Sequence, residues 1–261
     1  RELICRRKSE DVTVYCHGRG ATADAVMNRI EQNMRRFRCW DGSFRKYIVP
    51  VSGDLGQPRL GIEYDLYQKL ADSVDMVIHN GAVLNFILPY RQLKRVNVTG
   101  TAEALRFACT GRAKYFHYIS SYSVYDNPSC FQRRVTEDDP LESSDGYFLG
   151  YSETKWVAEK LVGIARERGL RTTVSRPGDI TGTPLDGIWK VEDLISRSIV
   201  GCIQMGSFPE IQVNLHLTPV DIVAASIVPI AFQAGGVNHA VKILNERLMP
   251  VEQFYRLLRK L

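Results

Sequence analysis

The densest chemistry in this sequence lies in Tyr151-Ser-Glu-Thr-Lys155. Residues four apart on a helix share a face, so this spacing sets a phenol beside an ammonium. An ordinary tyrosine ionises near pH ~10. A lysine one turn away stabilises the phenolate and makes the phenol a better proton donor. That pair suits reduction of a carbonyl, where negative charge builds on oxygen and a proton must be at hand. A hydroxyl from a neighbouring strand end would orient and polarise the carbonyl. The run Tyr118-Ile-Ser-Ser-Tyr-Ser-Val-Tyr125 supplies Ser121, with Ser120 and Ser123 as competing hydroxyls. Tyr118, Tyr122 and Tyr125 read as packing residues. A lone Y-x-x-x-K also fits an ordinary amphipathic helix; the serine-bearing strand end upstream is what gives it weight.

These groups need a scaffold, and the chain alternates strand and helix patterns. Strand patterns run over 12–17, 46–51, 75–79, 114–119 and 171–177. Helical patterns fill 22–38, with Thr22 as a possible cap, then 63–72, 90–109 and 151–168, the last closed by Gly169. On the helix 90–109, Leu93, Val96, Ala104, Leu105 and Ala108 face the core. The polar stretch 126–147 reads as a loop, and mixed helices follow near 191–203, 220–233 and 251–260. Short, continuously apolar strands between helices imply a doubly wound parallel α/β sheet. Ligands of such sheets bind beyond the carboxyl ends of the strands.

The residues at those ends follow a pattern. Arg19, in Gly18-Arg-Gly20, stands where a nucleotide-binding sheet reads the adenosine ribose; an arginine there favours the 2′-phosphate of NADPH over NAD. Arg29, one helix face on, would serve as a second phosphate contact. Asp54, next to Leu55, can accept from the adenine amino group, though an aspartate in Ser52-Gly-Asp-Leu-Gly56 also fits a plain turn. Asn80-Gly81-Ala82 is small enough to let a cofactor pass close to the backbone. His79 reads as a packed strand residue. Arg176-Pro177-Gly178 shapes a loop that can close over a nicotinamide, and Arg176 itself reads equally as structural.

Composition excludes several classes. The 261 residues are 44% hydrophobic and 24% charged, ordinary for one large α/β domain with an appendage. There is no apolar run of membrane-spanning length and no secretory leader, so no membrane is expected. The formal charge of +5 gathers in Met34-Arg-Arg-Phe-Arg38 and at Arg91, Lys94 and Arg95. Aromatic interleaving is weak, so these read as solvated helix faces and no nucleic acid is expected. Six cysteines lack any C-x-x-C pair, which argues against a metal site and suits a reducing cytoplasm. Cys16 and Cys109 read as core residues.

Several longer runs resemble thioester reductase domains: Gly53–Ile62, Val77–Phe86, Val96–Ala108, Tyr118–Tyr125, Tyr151–Val162, Ser175–Gly182 and Leu217–Val228. These are extended short-chain dehydrogenases at the carboxyl ends of non-ribosomal peptide synthetases, polyketide synthases, carboxylic acid reductases and aminoadipate reductases. The resemblance implies a Rossmann-like NADPH-binding domain over 1–182 and, over most of 183–261, a small substrate- and carrier-facing subdomain with some segments returning to the core. It implies NADPH-dependent release of an acyl or peptidyl thioester as an aldehyde, or further as an alcohol. The thioester would sit on the phosphopantetheine arm of a carrier protein, and the domain would be monomeric. Ser121, Tyr151 and Lys155 match the catalytic positions, Ser121 because it precedes Val124-Tyr125 in the register common to these enzymes. Arg19, Arg29, Asp54, Leu55, Asn80, Gly81 and Ala82 match cofactor positions, and Asn97, Pro177, Gly178 and Ile180 line the same region. Against the family pattern, the opening strand and its T-G-x-x-G-x-x-G loop are missing, and the chain starts midway through the first helix. Two other readings remain: a stand-alone dehydrogenase or epimerase on a small molecule, and a non-redox release or cyclisation domain.

Overall fold

The computed structural model describes residues 1–6, 12–130, 133–139, 141, 146–233 and 238–259. The chain divides into two compact units, one of Arg1–Arg176 with Ile227–Lys242, the other of Pro177–Ser226 with Ile243–Leu261.

The first unit opens with α1 (Glu2–Arg6), β1 (Val14–Gly18), α2 (Ala23–Arg36) and β2 (Ile48–Ser52). Next come α3 (Tyr64–Ser73), β3 (Met76–His79), α4 (Tyr90–Lys94), a π-helical turn over Arg95–Thr99 and α5 (Gly100–Cys109). Then follow β4 (Tyr115–Ile119), α6 (Gly150–Glu167) and β5 (Thr172–Pro177), whose last residue belongs to the other unit. β1 and β2 pair in parallel, Val14 opposite Ile48. β3, β4 and β5 are parallel neighbours in a four-stranded sheet closed by a strand from later in the chain. The parallel sheet is thus in two pieces among the described residues.

Local chemistry accounts for the helices. Thr22 caps α2, its Oγ1 accepting from Ala25 N at 3.2 Å. α6 ends at Gly169 (φ 96°), where Gly169 N donates to Arg166 O and Leu170 N to Ala165 O. This is the left-handed stop that glycine accommodates. β4 is buried along its whole length, so it carries no polar alternation. The core joins Tyr67, Leu70 and Ala71 of α3, Ala104, Leu105 and Phe107 of α5, and Ala158 and Val162 of α6 to Phe116 and Tyr118 of β4. A satellite cluster of Ile4, Met27 and Ile48 holds α1 and α2 to β2.

Two sequence expectations change. The single helix over 90–109 is broken by the π-helical turn. An extra residue in that turn rotates the register: Val98 and Asn97 become buried and Val96 only half-buried. Cys109 is exposed rather than in the core, standing at the last position of α5.

The second unit takes Pro177 from β5 and contains β6 (Asp179–Thr181), α7 (Leu194–Met205), β7 (Asn214–Leu215) and β8 (Leu217–Pro219). α8 (Val220–Phe232) and β9 (Ala240–Ile243) run across the division; β10 (Met249–Pro250) and α9 (Val251–Leu258) end the chain. β9 is the strand that closes the four-stranded sheet. β6 pairs with β8 in parallel and β7 with β10 antiparallel. No helix among the described residues is long and apolar enough to cross a membrane.

Gly150 begins α6 where a Cβ would lie 2.5 Å from Tyr90 N and 2.7 Å from Leu88 O, both backbone atoms. Gly150→Ala should therefore push α6 off the 88–90 segment, costing about 1–3 kcal/mol as overpacking does. The cost is read as a lower thermal midpoint by calorimetry; an unchanged midpoint would show that this contact is not tight.

Candidate active site

The parallel sheet brings the end of β4 against the first turns of α6. Lys155 is buried, and its Nζ donates to Ile119 O at 2.7 Å. The same ammonium sits 4.2 Å from the centre of the Tyr118 ring. Ser121, two residues beyond Ile119, is extended, and its Oγ accepts from Ser123 N at 3.1 Å. Tyr151 lies one turn before Lys155 and meets Phe86 edge-on, ring centres 6.1 Å apart. The structure thus gathers Ser121, Tyr151 and Lys155 around one strand–helix junction.

Asn97 fastens this junction to the 83–90 segment. Its Oδ1 accepts from Val83 N at 2.7 Å, and its Nδ2 donates to Val83 O and to Thr154 Oγ1, both at 3.0 Å. Thr154 in turn donates to Tyr151 O at 2.7 Å. The π-helical turn that points Asn97 inward is what makes these bonds possible.

In the resting site, burial outweighs the acidifying effect on Tyr151 expected of Lys155. Burial pushes the Tyr151 phenol up to about 12 and the Lys155 amine down to about 7, with Glu159 acting against the latter shift. Burial disfavours the charged form of each group, while Nζ donates its hydrogen bond to the Ile119 carbonyl. Tyr151 therefore stays protonated at neutral pH, as a proton donor must. Below the lysine, His79 is pushed down to about 3 by burial, with Lys155 and His17 adding to the effect. Thr101 gives its hydroxyl proton to Asn97 O at 2.7 Å, so the 3.0 Å contact assigns the hydrogen to His79 Nε2. His79 is a packed residue, as its pattern implied.

The remaining strand-end residues are scattered more widely. Arg19 and Arg29 are exposed, and Arg29 Nη1 donates to Arg19 O at 3.1 Å. Neither guanidinium is paired with a carboxylate among the described residues. Asp54 Oδ1 accepts from Gly56 N at 2.9 Å, so that oxygen serves its own turn. Leu55 lies under Gly81, where a Cβ would clash with Leu55 Cδ1. Asn80, Gly81 and Ala82 are exposed just past β3. Pro177, Gly178 and Ile180 belong to the second unit, where Gly178 N donates to Ile243 O at 3.1 Å. No group of metal-binding side chains occurs among the described residues.

One buried charged residue beside the site escaped the sequence reading. Glu159 is buried, accepts from Ser120 Oγ at 2.5 Å, and is ion-paired with Arg176, whose Nε donates to it at 3.0 Å. Burial opposes the Arg176 charge, but Glu159 and Tyr125 outweigh it and raise the guanidinium's pKa. Arg176 also donates to Tyr125 Oη, so Tyr125 is a polar partner rather than packing alone. The available signal was the spacing 151, 155, 159, which continues the Tyr–Lys face by one more turn.

Residues 1–227 match the family described as male sterility protein, an NAD-binding domain family. The chain belongs to the male sterility protein family. Among curated relatives, this family member is 35% identical over 236 residues to a linear gramicidin synthase of Brevibacillus parabrevis, covering 90% of this chain and 5% of the relative. It is 36% identical over 253 residues to the large subunit of L-2-aminoadipate reductase of Penicillium chrysogenum, covering 92% of this chain and 18% of that one. The chain thus spans less than a fifth of the length of either relative. Among solved structures, the terminal R domain of the myxalamid PKS-NRPS biosynthetic pathway superposes with a TM-score of 0.94 at 37% identity. That match covers 99% of this chain and 65% of the other. The male sterility family member therefore has a Rossmann-like fold, and its resemblance to thioester reductase domains holds in sequence and in architecture.

An ordinary lysine titrates near 10.5 and Lys155 near 7, so between these values the unfolded chain binds more protons. The contribution of this position to stability therefore rises with pH across that window. Lys155→Met should be more stable than the parent at pH ~7, with the advantage shrinking toward pH ~10 in urea unfolding. A difference that stays constant with pH would show that Lys155 titrates normally.

Proposed function

We propose that this chain is an NADPH-dependent reductase that releases an acyl or peptidyl thioester from a carrier protein as an aldehyde. The observation that carries the reading is the junction of β4 and α6. There a protonated phenol, a buried lysine and a strand-end serine share one site in a family of NAD-binding domains.

The residues present fit a phosphorylated nicotinamide cofactor. Arg19 and Arg29 are neighbouring cations without a carboxylate partner among the described residues, which suits a 2′-phosphate. Asn80, Gly81 and Ala82 offer an exposed strand end of little bulk with Leu55 beneath Gly81, and Asp54 and Asn97 are offered by the same unit. When bound, the cofactor supplies hydride to the thioester carbon.

The chain's own residues do the rest. Ser121 donates a hydrogen bond to the thioester oxygen as charge builds on it. Tyr151 gives that oxygen its proton, and Lys155 stabilises the phenolate left behind. An amine titrating near 7 can then exchange protons with solvent at neutral pH. The resulting hemithioacetal breaks its C–S bond as its hydroxyl proton is removed, giving the aldehyde and returning the thiol to the carrier's pantetheine arm. The second unit, close to the expected subdomain of 183–261, is assigned to substrate and carrier recognition.

The test offers an acyl-pantetheine thioester and NADPH, and follows cofactor oxidation together with aldehyde formation. Tyr151→Phe should cut kcat by about 10²–10⁴-fold, as loss of a general acid does, with cofactor affinity nearly unchanged. Arg19→Ala should raise the KM for NADPH and leave that for NADH alone. Cofactor oxidation without aldehyde, or full activity in Tyr151→Phe, would refute the reading.

A further inference from the structure

We propose that Glu159 is a positioning residue for the catalytic set: it fixes the strand end that carries Ser121 and sustains the charge on Lys155, with Arg176 as its own counter-ion. This deepens the reductase reading and rests on it.

Both carboxylate oxygens of Glu159 are committed. Oε1 receives Arg176 Nε at 3.0 Å and Nη2 at 2.5 Å, and Oε2 receives Ser120 Oγ at 2.5 Å. One turn earlier on α6, Lys155 holds the carbonyl of Ile119. Two helix residues therefore grip two consecutive strand-end residues, and the next residue in the chain is Ser121. With Ile119 and Ser120 fixed, the extended backbone of Ser121 (φ −152°, ψ 152°) presents its hydroxyl from a set position.

Stability does not explain this arrangement. Glu159 and Arg176 are 5% and 4% exposed, and replacing such a buried pair by apolar groups is often neutral or favourable. Charge accounting gives it a role. The buried groups are two cations, Lys155 and Arg176, against one carboxylate. The set is neutral with Lys155 unprotonated and carries one surplus positive charge with it protonated. A Tyr151 phenolate would cancel that surplus. The other groups facing Lys155 are Tyr118 on β4 and His79 on β3, both held neutral. Glu159 is thus the anion that opposes the burial cost of the ammonium.

The experiment measures the titration of Lys155 itself by competitive acetic anhydride labelling across pH, read from its peptide by mass spectrometry. It is done on the parent chain, Glu159→Gln and Ser120→Ala, beside thioester-dependent NADPH oxidation. Glu159→Gln should lower the Lys155 midpoint by about one pH unit and move the kcat–pH profile with it, while the thioester KM changes less than kcat. Ser120→Ala should lower kcat and leave the Lys155 midpoint in place. Glu159→Asp, which keeps the charge on a shorter arm, should hold the Lys155 midpoint near the parent's while kcat falls; it serves if the Gln variant does not fold. An unmoved midpoint in folded Glu159→Gln, or an unchanged kcat in both Glu159→Gln and Ser120→Ala, overturns the proposal. A shifted midpoint in a chain that turns over no thioester supports the coupling and refutes only the reductase reading.

Discussion

The hydrogen bond from the Lys155 ammonium to the Ile119 carbonyl sets the terms for the rest of the first unit. A charged amine has been carried into the protein and spends its strongest interaction on the backbone of the neighbouring strand. Burial of the amine is costly, and the surroundings reduce that cost in several ways. The Tyr118 ring offers its face at 4.2 Å. Glu159 supplies a carboxylate one turn further along α6, and Arg176 is ion-paired with that carboxylate in turn. Tyr118 and His79, which lie below, are both neutral. The charged members of this set need one another, because an isolated buried charge is costly.

The junction places demands on the helices around it. α6 must approach the 88–90 segment closely, and only a residue without a side chain can begin it there; Gly150 meets that need. The helix over 90–109 must turn a polar residue inward, and a regular α-helix would have spent that position on Val96. The π-helical turn gives up some regular hydrogen bonding and gains three bonds from the Asn97 amide to Val83 and Thr154. Those bonds tie the segment after β3 to the helix that carries Tyr151. The irregularity in the helix and the placement of the phenol are one feature seen from two elements.

The residues proposed to meet the cofactor are built more loosely. Arg19 and Arg29 stand at the surface and touch only through a backbone carbonyl. Such groups are free to meet a mobile, highly charged ligand, whereas Lys155 and Glu159 are fixed before any ligand arrives. The division follows from the chemistry asked of each. A phosphate is recognised by charge at a distance, but proton transfer requires atoms held within a hydrogen bond's length.

By itself the sequence determined the alternation of strands and helices, because period and capping are local: Thr22 and Gly169 mark helix ends through their own side chain or lack of one. It also determined the Tyr151–Lys155 face, since spacing on a helix is fixed by its pitch. What it could not determine depends on partners distant in the chain. Asn97 reads as one polar residue in a helical run until Val83 and Thr154 are brought to it. Arg176 stayed open between two roles until β5 was laid beside β4 and faced Glu159. Whether Lys155 lowers the ionisation of Tyr151 was decided by burial, which no spacing encodes. The sequence chose the groups and their order along each element; the tertiary structure decided which of them left water, and with that their charge.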